Sequence, residues 1–296
     1  MEVKKLYANI INNKDLWNYY NKRVKKPNII NTRDCYNFIK RFINYSEKTQ
    51  TILFDNIDYL NNNNPSRLSH IVSAFFLGLW FFWEENDFIK KVITKELEKL
   101  KCFQEENDIE KQFTFVWFMI TLFHDLGYKA EDNKNGAELP AHTITIDKNN
   151  SVPVFYKDIY KSYYKYRKNK EHGIYAGLIF DESICKIREY QENNKKSKLD
   201  WRRSLEELYH YVAWIIIAHS IWLKRDNDAN INEYRDKGLD QLILSSELKD
   251  NRLYKEYITF VNYPLFAFFC IIDTIEPIKS TSCFSKVDIK LERDKI

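Results

Sequence analysis

Glycine and proline are scarce in this chain, with six of each in 296 residues. So few turn formers cannot serve a sandwich or barrel of many short strands, so a mostly helical fold is expected. The same scarcity excludes whole motif classes. Gly78, Gly127, Gly136, Gly173, Gly177 and Gly238 form neither GxGxxG nor GxxxxGK[ST], and Gly173 and Gly177, four apart, flank Tyr175 where a nucleophile elbow needs serine. Cysteine is sparse as well. Cys35, Cys102, Cys185, Cys270 and Cys283 are odd in number, scattered and never spaced CxxC. That pattern suits reduced thiols in a cytoplasmic protein and argues against a disulfide frame or a zinc ribbon. The apolar runs 71–83, 113–123, 211–223 and 257–272 are broken by polar residues or fall short of the roughly 18 to 20 residues that cross a bilayer. They read as buried helices, and no secretory apolar region follows Met1-Glu2-Val3-Lys4-Lys5. A cytoplasmic protein without a membrane partner is expected.

What the chain does have is apolar mass: 44% hydrophobic and 16% aromatic residues, enough to bury a substantial core. Its net charge of +4 is uneven. Residues 1–66 carry eleven Lys/Arg against six Asp/Glu, and 156–170 carry six against one, so the remainder is net acidic. A small anionic ligand fits this balance. Nucleic acid is compatible with it but not indicated.

The clearest break is Asn61 to Asn64 followed by Pro65. It divides an N-terminal helical extension (1–65), with two or three aromatic-rich helices, from a larger helical domain (66–278) and a charged tail (279–296). Within the larger domain, long helices are expected from Arg67 to about Lys101 and from about Asp108 to Leu126, the second ending on a glycine cap at Gly127. Further helices are expected near Tyr156, from His172 to Tyr190, from about Asp200 to Lys224, and from Arg252 to Glu276 before Pro277. Residues 130–154 read as an insertion, in which Thr143 to Ile146 and Val152 to Phe155 have the alternation of a small β-hairpin.

The six histidines are placed informatively. His70 opens one apolar run, His124 closes another with Asp125 directly after it, His219 lies inside a third, and Asp273 closes a fourth. Leaving a buried polar group unpaired costs roughly 2 to 7 kcal/mol, so such residues on very apolar helices need partners. Imidazole and carboxylate together can find them in a shared divalent ion, and one carboxylate can bridge two ions. His172 is a fifth candidate, because two glycines follow it in a helical segment, where each costs about 1 kcal/mol relative to alanine. His142 lies in the insertion. His210, nine residues before His219, is about half a helical turn out of phase with it. Neither belongs to the set. Taken singly, each histidine also suits a core position bonded to a backbone carbonyl.

At these residues the chain resembles the HD superfamily of metal-dependent phosphohydrolases, whose ligands run His, His-Asp, His, His, Asp through an all-α bundle. The order here is His70, His124-Asp125, His172, His219, Asp273. Arg67-Leu68-Ser69-His70 is similar to the family's RxxH opening, His124-Asp125-Leu126-Gly127 to its HD[IL]G core, and Asp273 to Pro277 to a DxxEP ending. The likeness spans roughly residues 66 to 278. It departs from the HDxGK pattern, with Tyr128 at the lysine position and Lys129 one place later, and it contains no GYP signature.

The resemblance implies two divalent ions (Mn, Fe, Mg, Co or Zn), with His70, His124, Asp125 and Asp273 holding one and His172, His219 and Asp125 the other. Asp125 would be the bridging catalytic carboxylate. Arg67, Lys129 and Arg167 are candidates to hold substrate phosphates, Arg167 as part of the basic, tyrosine-rich stretch 156–170, which can equally be a packed face with solvated lysines. The implied activity is phosphohydrolase or phosphodiesterase chemistry on a small phosphorylated substrate, a nucleotide or cyclic (di)nucleotide. Two alternatives share the ligand set, an HD-type single-strand nuclease and a di-iron oxygenase of the same fold, and a third is a non-catalytic helical sensor or interaction module whose histidines are structural.

Overall fold

A computed structural model of the chain describes residues 3–12, 26–42, 52–85, 87–99, 109–140, 157–193, 205–220 and 263–280. Among these the only regular structure is helical, so the fold is all-α. The N-terminal part contributes α1 (Val3–Asn12), α2 (Thr32–Phe42) and α3 (Ile52–Asn63). Then follow α4 (Pro65–Trp80), a π-helical stretch at Phe81–Glu85, α5 (Asp87–Lys99), α6 (Ile109–Phe123) and the short α7 (Tyr128–Asp132). The chain continues through α8 (Lys157–Tyr166), α9 (His172–Asn193), α10 (Glu206–Ala218), α11 (Pro264–Ile275) and α12 (Pro277–Ser280). The hairpin expected at 143–146 and 152–155, and His142, lie outside the described residues.

Helix α4 occupies the middle of the molecule because its sequence is apolar on every side. Every residue from Leu68 to Leu79 is buried, and α1, α2, α3, α6 and α11 all pack on it. Aromatic rings knit these layers. Phe38 of α2 lies among Phe75, Phe76 and Phe118, and Trp117 of α6 donates its indole N–H to the Phe75 carbonyl at 2.9 Å while packing on Phe268 of α11. The single long helix expected over 67–101 is instead divided. At Phe81 the backbone widens into a π turn, which lets Phe82 stack on Phe113 with ring centroids 3.6 Å apart.

The other major pairing is α9 against α10, and glycine permits it. A methyl group at Gly177 would lie 2.4 Å from Ile217 Cγ1 and 2.7 Å from the Ala213 carbonyl oxygen, so the two backbones meet only because that position is bare. Gly127 has the same function. Its backbone is right-handed (φ −80°, ψ −3°), not the left-handed conformation that a C-terminal glycine cap commonly takes. The reason for glycine is proximity: a Cβ there would sit 1.9 Å from the His172 carbonyl oxygen, where α9 begins. No helix among the described residues is long and apolar enough to cross a membrane.

Candidate metal centre

The six residues expected as ligands come from five elements, and the fold brings them together. His70 stands one turn into α4. His124 and Asp125 follow the last residue of α6, His172 opens α9, His219 follows α10, and Asp273 lies in the last turn of α11. His124, His219 and Asp273 therefore sit at or beside helix C-termini, whose exposed carbonyls carry about half a negative charge each and favour a cation.

All four imidazoles are oriented in the same way: Nδ1 meets an oxygen, and Nε2 turns inward. His124 Nδ1 donates to the Thr121 carbonyl at 2.8 Å and His219 Nδ1 to the Ile216 carbonyl at 2.5 Å, the same three-residue back-bond on two helices. His70 Nδ1 meets Glu276 Oε2 at 2.7 Å, and His172 Nδ1 meets Glu131 Oε1 at 3.0 Å. On the inner side, His70 Nε2 lies 3.0 Å from Asp273 Oδ1, and His124 Nε2 lies 3.2 Å from Asp125 Oδ1 and 3.5 Å from Asp273 Oδ1. The Nε2 atoms of His172 and His219 are 3.3 Å apart. Asp125 spans the cluster: Oδ2 faces His70 at 3.7 Å, while Oδ1 faces His124 and, at 3.9 Å, His172.

Burial and charge shape the titration of this group. Burial alone would raise the Asp125 pKa, but His124, His70, His172 and Arg67 hold it far below the usual carboxylate range. Asp273 is likewise pulled well down against burial by the facing imidazoles of His124 and His70. Burial would lower His70, yet hydrogen bonds to Asp273 and Glu276 raise it to about 9. His219 goes the other way, pushed down to about 3 by burial and by the neighbouring His124 and His172. A neutral imidazole with an inward lone pair is a ligand in waiting.

Two groups of atoms have the spacing to hold a metal ion: His70, His124 and Asp273, and His124, Asp125 and His219. A third, Glu131, Glu171 and His172, lies on the outer side of His172. The donor set fits a divalent ion on a direct observation. His124 Nε2 is fully buried and makes no hydrogen bond, an orphaned donor atom aimed at the middle of the cluster. Mixed imidazole and carboxylate ligands suit zinc, manganese, iron or cobalt.

The candidate phosphate-holding residues separate. Arg67 reaches the centre, with Nη1 3.4 Å from Asp125 Oδ2 and its guanidinium over the Tyr128 ring at 4.2 Å; Tyr128 in turn stacks on His172 at 4.6 Å. Lys129 is exposed on α7. Arg167 is half exposed just beyond α8, its Nε 3.3 Å from Oε2 of Glu171, the residue before His172. His210, set aside from sequence, pairs with Asp181 of α9 at 2.6 Å. Glu131 was missed because nothing in its spacing marks a carboxylate that supports a histidine 41 residues later. Glu276 was legible only as part of the DxxEP ending. Comparison of the chain with family models, with curated proteins and with solved structures finds no match.

Proposed function

We propose that the protein is a metal-dependent phosphohydrolase of the HD type, acting on a small phosphorylated substrate of the nucleotide class. The observation that carries this reading is the shared orientation of His70, His124, His172 and His219, each anchored through Nδ1 with Nε2 turned to one centre. Histidines that served packing alone would have no reason to converge. His70, His124, Asp125 and Asp273 would hold one divalent ion, and His172, His219 and Asp125 a second. Bound there, the ions would supply Lewis acidity toward a phosphoryl group and toward the attacking water.

The chain's own residues do the rest. Asp125, with its two oxygens facing opposite sides of the cluster, ties the two ligand groups together. Arg67 offers a guanidinium at the rim, 25% exposed and already beside an anion, which is the position from which a phosphate would be held. Substrate enters on the side of Arg67, His172 and Asp273, which are partly open, whereas His70, His124 and Asp125 are buried. Tyr128 fixes the Arg67 guanidinium and the His172 ring against each other.

The test is metal analysis of the purified wild type beside Asp125→Ala, followed by a phosphoester panel with Mn²⁺, Mg²⁺, Fe²⁺ and Co²⁺ before and after chelation. Wild type is expected to retain divalent metal and to lose hydrolysis on chelation, and the variant to lose both. Activity that survives thorough chelation contradicts the proposal. Tightly held iron with oxygen uptake and no hydrolysis would replace it with the oxygenase reading.

A further inference from the structure

Behind His70 lies a buried polar cluster that reaches the far N-terminus of the chain. Glu276, fully buried, uses Oε2 to accept from His70 Nδ1 at 2.7 Å. Its other oxygen, Oε1, accepts the backbone N–H of Ile278 at 2.8 Å, the hydroxyl of Ser73 and, at 3.4 Å, the hydroxyl of Tyr7 on α1. The Ser73 and Tyr7 hydroxyls also lie within hydrogen-bond reach of each other, and their two protons are shared among these contacts. Three separate elements thus meet at one carboxylate. The sequence explains how each arrives. His70 and Ser73 are three apart on α4 and share a face. Pro277 bars helical backbone at Glu276, whose ψ is 121°, and so turns the carboxylate back under α4. Helix α1 packs on α4 and delivers Tyr7, itself only 5% exposed.

We infer that α1 is part of the metal centre: Tyr7 and Ser73 are positioning residues that hold Glu276 in place, and Glu276 in turn fixes the His70 imidazole with Nε2 turned to Asp273 and the middle of the cluster. The inference rests on the metal-binding reading above and extends it to residues far outside the ligand set. Glu276 is held at both oxygens, by the N–H groups of His70 and Ile278 and by the hydroxyls of Ser73 and Tyr7. A carboxylate partner on Nδ1 locks the ring orientation and makes Nε2 a stronger donor to a metal. His124 and His219 have only backbone carbonyls in this role, and the Glu131 partner of His172 is 29% exposed. The supported histidine is therefore the one in the His70, His124 and Asp273 group, and disturbance of α1 should be felt there and not at His172 and His219.

The experiment uses the full-length chain. Wild type, Tyr7→Phe, Ser73→Ala and Glu276→Gln are freed of metal and titrated with Co²⁺, following visible absorption for each ligand environment and calorimetry for each affinity. Wild type should bind two ions. Glu276→Gln should weaken one of them by about 10- to 100-fold, and Tyr7→Phe and Ser73→Ala by about tenfold, with a changed absorption spectrum for that ion and the other ion unaltered. Circular dichroism of the metal-free variants checks the fold; should Tyr7→Phe fail to fold, Ser73→Ala and Glu276→Gln carry the test. Wild-type affinity and spectrum for both ions in all folded variants would overturn the inference and leave α1 as mere cover. Wild type that binds no Co²⁺ would sink the metal-binding reading itself, a result distinct from any behaviour of the variants.

Discussion

At the scale of single residues, Arg67 shows how one side chain can be read twice. It lies beside Asp125, which makes it a counter-charge for a buried carboxylate, and it stands at the open rim, from which the proposed function would have it hold a phosphate. The two roles separate under mutation. A charge-assisted contact contributes about 2 kcal/mol, so Arg67→Ala should lower kcat/KM for a phosphoester about thirtyfold, chiefly through KM, while metal content stays at the wild-type level. Loss of metal together with activity would leave Arg67 only the first role. The centre's histidines were legible because burial of a polar group demands an explanation, and six such groups in order on apolar helices demand a common one. Their supporting carboxylates were not. Glu131 and Glu276 act at a distance of 41 and 206 residues along the chain, and no local pattern encodes a pairing that only the fold creates.

At the scale of elements, the helix that carries Asp273 is itself held by a buried acid. Glu96 of α5 accepts the Leu265 N–H at the start of α11 at 2.7 Å and is bonded to the hydroxyl of Tyr211 on α10. Burial raises its pKa to about 7, against lowering by Tyr211, by Leu265 and by Lys99. Below about pH 4.5 the group is protonated in folded and unfolded chains alike. Between there and about pH 7 the unfolded chain releases a proton that the folded one keeps, so this residue costs stability as pH rises, roughly 3 kcal/mol in all, and nothing further above pH 7. Glu96→Gln does not titrate, and it can still accept the Leu265 N–H through its amide oxygen while its NH2 donates to the Tyr211 oxygen. Urea unfolding of wild type and variant at pH 5 and pH 7.5, both chelated, should show the wild type losing a few kcal/mol relative to the variant; parallel pH profiles would refute the assignment. Helix existence was readable from apolar patterning, as α4, α6, α9, α10 and α11 attest. Helix ends were less so. The π turn after Trp80 goes with the stacking of Phe82 on Phe113, and Gly127 meets the start of α9, partners that are distant in sequence.

At the scale of the whole molecule, the centre is where five elements end or begin, and in the metal-free protein it concentrates like groups. The His219 ring lies between those of His124 and His172, each 5.2 Å away by ring centroid; burial and these two neighbours drive His219 to its neutral form, and His124 Nε2 makes no hydrogen bond. An ion held there would tie α4, α9, α10, α11 and the turn after α6 to one point, and its binding energy would become folding energy, because the unfolded chain holds these ligands far apart. At free metal about a thousand times the dissociation constant, the native state gains roughly 4 kcal/mol, which for a chain of this size is a rise in Tm of roughly 10 °C. Thermal melts of chelated protein with and without added Mn²⁺ or Zn²⁺ should show that rise. Asp125→Asn, which keeps the shape of the side chain but cannot bridge as an anion, should melt at one temperature with or without metal. A wild-type melt indifferent to metal would mean that the histidines serve the fold alone.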